Sequence, residues 1–250
     1  MKTSAFKQLA CTGLAAALLA GGLSAHADES VPDSQPTIAT EHLSDDQYND
    51  PFADYAAPTA GALDLNLNCK SAVLMEQSTG KVLYELNPHE KLAPASITKV
   101  MALLLIMEAI DSGAIGLDDM ISTSSYAASM GGSQIWLEPG ETMSVHDLLK
   151  AVTVASANDA TVALAEKIAG SEEAFVQRMN SRARELGCND TNFVNSSGLD
   201  ADGHVTSAWD VAVMSRTLLT HPKIKEYTTI WMDTLRGGAS KLVNTNKVVC

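Results

Sequence analysis

Pro94-Ala95-Ser96-Ile97-Thr98-Lys99, followed by the apolar run Val100 to Ile110, is the stretch that decides the reading of this chain. Ser96 and Lys99 are three residues apart, so on a helix they share a face and their hydroxyl and amine come within reach. Val100, Met101, Leu103, Leu104, Leu105, Ile106 and Met107 leave no polar stripe before Glu108. A helix that is apolar all round is buried, and this one is interrupted too soon to span a bilayer. Reactive groups at its N-terminal lip are held rigidly and face the positive end of the helix dipole. The residue types therefore point to a serine nucleophile with a lysine partner. The alternative is a helix cap with a surface lysine.

Working outward, the first 27 residues carry the marks of an export signal. Lys2 and Lys7 form a basic head, Leu9 to Leu23 an apolar stretch, and Ala25-His26-Ala27 an A-x-A cleavage site. Residues 28–64 are expected to be a disordered acidic spacer. From Asp28 to Ala60 there are eight acidic residues, four prolines and no Lys or Arg, too little apolar surface to order itself. Order is expected from about Leu65, in one domain over 65–250.

Without Lys2 and Lys7, 15 basic residues stand against 30 acidic ones, a formal charge of −15. Such a chain does not bind nucleic acid or anionic lipid by charge. Cys69, Cys188 and Cys250 show no C-x-x-C spacing, so zinc ligation by cysteine is not expected. A Cys69–Cys188 bridge is compatible with the sequence, and free thiols are the favoured reading. No metal or cofactor motif is found, since His89-Glu90 lacks a second histidine four residues on.

Along the domain, Ser71 to Gln77 and Val82 to Leu86 read as a β-hairpin around Ser78-Thr79-Gly80-Lys81. Gly116 to Gly140 reads as a long polar connection without regular structure. Ser144 caps a helix that breaks at Ser156-Ala157-Asn158. Further helices run from Asp159 to Ile168, from Ser171 to Leu186 and from Ser207 to Leu219. Asn192 to Gly203 reads as loop, Tyr227 to Leu235 as strand or short helix, and no later run of strands is expected. Trp136, Trp209 and Trp231 are assigned to core or cleft-wall packing, and Arg182 and Arg184 to the solvated surface. His204 is a candidate for the neighbourhood of the cleft.

S-x-x-K alone is weak evidence. It also occurs as Ser4 with Lys7 in the signal and as Ser78 with Lys81 in a turn. Ser156-Ala157-Asn158, the single S-x-N of the chain, lies sixty residues after Ser96 and adds the second of three elements found in penicillin-binding proteins and serine β-lactamases. With Ser71 to Glu85, Asn195-Ser196-Ser197-Gly198-Leu199 and Leu242-Val243-Asn244-Thr245-Asn246-Lys247, the order of motifs resembles the D-alanyl-D-alanine carboxypeptidases among the low-molecular-mass penicillin-binding proteins.

The resemblance implies an α+β, transpeptidase-like fold with a helix-rich part and an N-terminal hairpin. It implies an exported enzyme of the periplasm or cell-wall space that acts on peptidoglycan stem peptides and is acylated by β-lactams. Carried over, Ser96 is the nucleophile, Lys99 its general base, Ser156 a proton relay, and Asn158 a ligand of the substrate backbone and of Lys99. The Ser96 amide would give half of an oxyanion hole.

No K-T-G, K-S-G or H-T-G occurs in the chain. The later sheet strands, the C-terminal β-rich domain and an amphipathic anchor are absent from the sequence too, so a truncated product without turnover is expected. A β-lactamase-like hydrolase lacks support, because no E-x-x-L-N is found. A non-catalytic binder of penicillin or wall peptide is the alternative from another class.

Overall fold

A computed structural model describes residues 65–244 and 246. The expected signal (1–27) and spacer (28–64), and also Lys247 and Cys250, lie outside the described residues. In chain order the elements are β1 (Ala72–Met75), β2 (Val82–Leu86), α1 (Lys99–Asp111), β3 (Met120–Ser122), α2 (Ser125–Ala128), β4 (Thr142–Ser144), α3 (Val145–Ala155), α4 (Asn158–Ala169), α5 (Glu172–Glu185), α6 (Ala208–Leu218), α7 (Ile224–Thr228), β5 (Met232–Leu235) and β6 (Ser240–Val243). A short 3-10 turn, Ala95–Thr98, leads into α1.

The apolar run Val100 to Ile110 becomes the centre of the molecule. Met101, Leu104, Ile106 and Met107 on α1 are fully buried, and α1 packs on α4, α5 and α6. Helix starts are set by serines. The hydroxyls of Ser124, Ser144, Ser171 and Ser207 each accept the backbone amide three residues on, which satisfies a donor the helix leaves open. Gly170 ends α4 in the left-handed conformation, with φ of 87°.

The expected hairpin is present, with Ala72 opposite Leu86 and an irregularity between Leu74 and Met75. Among the described residues β1 and β2 form a two-stranded sheet. Two exposed strands are barely stable alone, and here α6 supports them. Arg216 donates to the carbonyls of Gln77 (2.8 Å) and Ser78 (3.1 Å), clamping the turn.

Four expectations are corrected. The Gly116–Gly140 connection contains β3 and α2, and β3 pairs antiparallel with β4 from Met120–Ser144 to Ser122–Thr142. A second late pair, β5 with β6, also contradicts the absence of later strands. Strands of three or four residues carry too short a pattern to show a period, and their pairing is decided by distant partners. The stretch from Tyr227 to Leu235 holds both the end of α7 and β5. Trp136 and Trp231 are 74% and 53% exposed, so neither belongs to the core. Arg182 is not a free surface charge, because it bridges Glu108 (2.8 Å) and Glu185 (2.9 Å). Cys69 and Cys188 are free thiols, the first exposed and the second buried.

Candidate active site

The turn Ala95–Thr98 sets Ser96 at the surface and Lys99 beneath it. Ser96 is exposed, whereas Lys99 is only 4% exposed. Ala95 has a φ of 48°, a left-handed conformation that costs an L-residue roughly 1–2 kcal/mol. Strain of this kind persists only where the surroundings impose it.

Gly198 is what imposes it. Its backbone lies so close to the Ala95–Ser96 peptide that a Cβ would stand 1.9 Å from the Ala95 carbonyl oxygen. The turn is thereby wedged from the 195–199 loop. The amide of Ser96 has no backbone partner among the described residues, and it remains an open donor at the mouth. A cleft of about 300 Å³ opens between Pro94–Ala95 and Gly198–Asp202.

The Lys99 amine touches three oxygens: Asn158 Oδ1 at 2.7 Å, the Ser197 carbonyl at 2.6 Å and Ser96 Oγ at 3.3 Å. The first two can only accept. An ammonium would use all three of its protons here, but burial pushes its pKa down to about 8. A neutral amine donates two protons, which suit Asn158 and Ser197, and keeps one lone pair. That lone pair is left for Ser96 Oγ, which alone of the three partners carries a proton to give.

Asn158 is fixed in its turn. Its Nδ2 donates to the Gly131 carbonyl (2.7 Å) and its amide to Ser133 (2.7 Å), which turns Oδ1 toward Lys99. Gly132 makes room, since a Cβ there would lie 2.8 Å from Asn158 Nδ2. Ser156 ends α3 with φ of 55° and ψ of 36°, the left-handed corner that lets α4 restart at Asn158. Its hydroxyl is half-buried and bonds to no other described residue. Ser96, Lys99 and Asn158 are thus brought into one bonded cluster. Ser156 stands two residues from it, at the corner.

The sequence reading missed the groups that hold this cluster. Ser197 acts through its backbone carbonyl, so no side-chain pattern reveals it; the only sign was its place in Asn195-Ser196-Ser197-Gly198. Glu172 accepts the Ser196 amide (2.9 Å) and hydroxyl (2.6 Å), anchoring that loop to α5. Tyr126 donates to the same carboxylate, and this bond is the main reason its pKa rises to about 12.

His204 does lie by the cleft. Its Nδ1 accepts the Val194 amide (3.0 Å), so Nε2 carries the proton and donates to Thr98 Oγ1 (2.7 Å). Burial lowers its pKa, and the two bonds tie the loop to the residue before Lys99. Among the described residues no group of His, Cys, Asp or Glu is arranged to hold a metal.

Comparison with known proteins gives the family of the chain. Residues 57–250 match the D-alanyl-D-alanine carboxypeptidase family (Peptidase_S11). The chain is 53% identical over 189 residues to D-alanyl-D-alanine carboxypeptidase DacF of Bacillus subtilis, covering 74% of this chain and 49% of that protein. Penicillin binding protein 6B of Escherichia coli superposes with a TM-score of 0.68 at 37% identity, over 72% of this chain and 58% of that one. Penicillin-Binding Protein D2 of Listeria monocytogenes, in its ampicillin-bound form, gives 0.62 at 32% identity, over 75% and 76%. The chain spans about half the length of the curated relatives it matches. The α+β arrangement is that of the penicillin-binding proteins, and the chain belongs to the D-alanyl-D-alanine carboxypeptidase family.

Proposed function

We propose that this chain carries the acylating centre of a serine D-Ala-D-Ala carboxypeptidase, exported to the cell-wall space, that trims the terminal D-Ala from peptidoglycan stem pentapeptides. One observation carries the reading: the buried Lys99 amine bonds two pure acceptors and reaches Ser96 Oγ at 3.3 Å. Neutral Lys99 takes the Ser96 proton as Oγ attacks the carbonyl carbon of the penultimate D-Ala. The Ser96 amide faces the oxyanion, a donor of a kind worth about 2.7–4 kcal/mol. When the C–N bond breaks, Ser156 passes its proton to the departing D-Ala amine and takes one from the Lys99 ammonium, which leaves Lys99 neutral again. Water then attacks the ester, the same base accepts its proton, and the shortened peptide leaves with Ser96 regenerated.

Asn158 holds Lys99 and offers its amide to the substrate backbone. β-Lactams present a strained amide to the same serine and would acylate it, in keeping with the ampicillin-bound relative. No step calls for a cofactor.

The test is a labelled penicillin followed by peptide mapping, with D-Ala release from a stem pentapeptide measured in parallel. A label on any serine other than Ser96 overturns the assignment. An adduct on Ser96 without D-Ala release identifies a binder that is acylated but does not turn over.

A further inference from the structure

The Trp136 side chain has no role in the chemistry above, yet the fold goes to some length to display it. Trp136 is 74% exposed at a φ of 59°, where a bulky side chain is a genuine outlier. Its neighbours are locked. Ile135 and Leu137 are buried, and their amides donate to the carboxylate of fully buried Asp159 at 3.0–3.2 Å. From the other side Arg236 donates to the carbonyls of Ile135 (3.0 Å) and Trp136 (3.3 Å). Its remaining donors go to Ser240 Oγ (3.0 Å) and to both oxygens of Glu141 (2.7 and 3.1 Å). All five guanidinium N–H groups are engaged in holding this corner. A strained residue fixed by its surroundings and turned to solvent is a reason to look for a ligand.

Its place narrows the ligand. The same loop begins at Gly131 and Ser133, whose carbonyls accept from Asn158. Trp136 is three residues beyond Ser133, so its Cα lies at most roughly 11 Å from that of Ser133. Ser133 accepts the Asn158 amide and Asn158 bonds Lys99, so a single loop joins the Trp136 corner to the Ser96 site. Trp136 lines a surface cleft of about 450 Å³ with Glu138, Pro139, Glu141 and Arg236. Arg236 and Glu141 neutralise one another, so Glu138 leaves the cleft with one negative charge in excess. An aromatic face beside a carboxylate suits an ammonium group and repels a carboxylate or phosphate.

Resting on the proposed carboxypeptidase reading, we infer that the Trp136–Glu138 cleft is a specificity subsite for an amine-bearing side chain of the stem peptide, upstream of the scissile bond. It would select peptides whose diamino residue keeps a free amine.

The experiment titrates the full chain with Nα-acetyl-Lys-D-Ala-D-Ala and with the same peptide acetylated also on the lysine side chain. The Trp136 indole N–H resonance is followed by NMR, identified by its loss in Trp136→Phe. The expected result is saturable movement of that resonance, with the free amine binding roughly 3- to 10-fold more tightly. Glu138→Gln, checked for an unchanged near-ultraviolet circular dichroism spectrum, should shrink that preference. Equal affinities for the two peptides, or a silent indole, overturn the inference. So does movement of the resonance by a wall disaccharide lacking peptide, which would make Trp136 a sugar platform. Labelled penicillin added to the same sample separates the two failures. A labelled Ser96 with a silent indole sinks only this inference, whereas an unlabelled Ser96 sinks the carboxypeptidase reading.

Discussion

The acylation of Ser96 should follow the deprotonation of Lys99 and nothing else between pH 6 and 9.5. With a pKa of about 8, about one Lys99 in ten is neutral at pH 7, half at pH 8 and about nine in ten at pH 9. The rate of labelling by penicillin should therefore rise about tenfold from pH 7 to pH 9 and level off above that. A lysine at its ordinary value of 10.5 would give about a hundredfold over the same interval, with no plateau. Stability gives an independent check with a definite sign. The folded chain releases the Lys99 proton near pH 8, while the unfolded chain holds it to about 10.5. Between those values the unfolded state binds more protons, so stability rises with pH, by up to about 3 kcal/mol. Below pH 8 both states are protonated and this contribution is flat. Urea melts of the wild type minus those of Lys99→Met isolate it. A labelling rate that does not change from pH 6 to 9.5, or a difference curve that falls between 8 and 10.5, would refute a buried lysine base.

Three further outcomes follow from the same geometry. Gly198→Ala forces a Cβ to 1.9 Å from the Ala95 carbonyl and a side chain onto φ of +89°; it should cost about 3 kcal/mol or more and lower Tm by roughly 6–12 °C, with loss of labelling. Asn158→Asp places a carboxylate where Oδ1 now accepts from Lys99 at 2.7 Å, so the midpoint of the labelling profile should climb by roughly 1–3 pH units, and an unmoved midpoint would exclude the contact. His204→Gln can still accept from Val194 and donate to Thr98, and should keep labelling. His204→Leu leaves both groups buried and unbonded, at roughly 1–3 kcal/mol each in a urea melt, with slower labelling.

How much of this was legible in the sequence depends on whether a feature is carried by side chains close in the chain. The α1 core needed only an unbroken apolar run, and the helix starts at Ser144, Ser171 and Ser207 needed only a serine three residues before its amide. Ser96 and Lys99 were visible because a helical turn fixes their separation. Asn158 was visible as half of a short motif, although nothing in its spacing tells which amide atom faces Lys99; the Gly131 carbonyl decides that. Other parts were hidden for a physical reason. β3 and β4 are three residues each, and they exist because distant segments complete one another's hydrogen bonds. Ser197 contributes a carbonyl, which every residue has. Trp136 reads as core or cleft-wall packing, and the backbone clamps from Asp159 and Arg236 decide against the core and set it on a cleft wall.

The division has a consequence for how the site works. The parts the sequence shows are those that react, and the parts it hides are those that set their spacing. Burial lowers the Lys99 pKa, but burial alone would leave a neutral amine free to rotate its lone pair anywhere. Two acceptors without protons, Asn158 Oδ1 and the Ser197 carbonyl, remove that freedom. Neither is positioned by the helix that carries Lys99: one hangs from the 131–133 loop and the start of α4, the other from a loop held by Glu172 and His204. A base built this way is tuned from three separate elements. Loosening any one of them should therefore slow acylation while leaving Ser96 and Lys99 themselves in place.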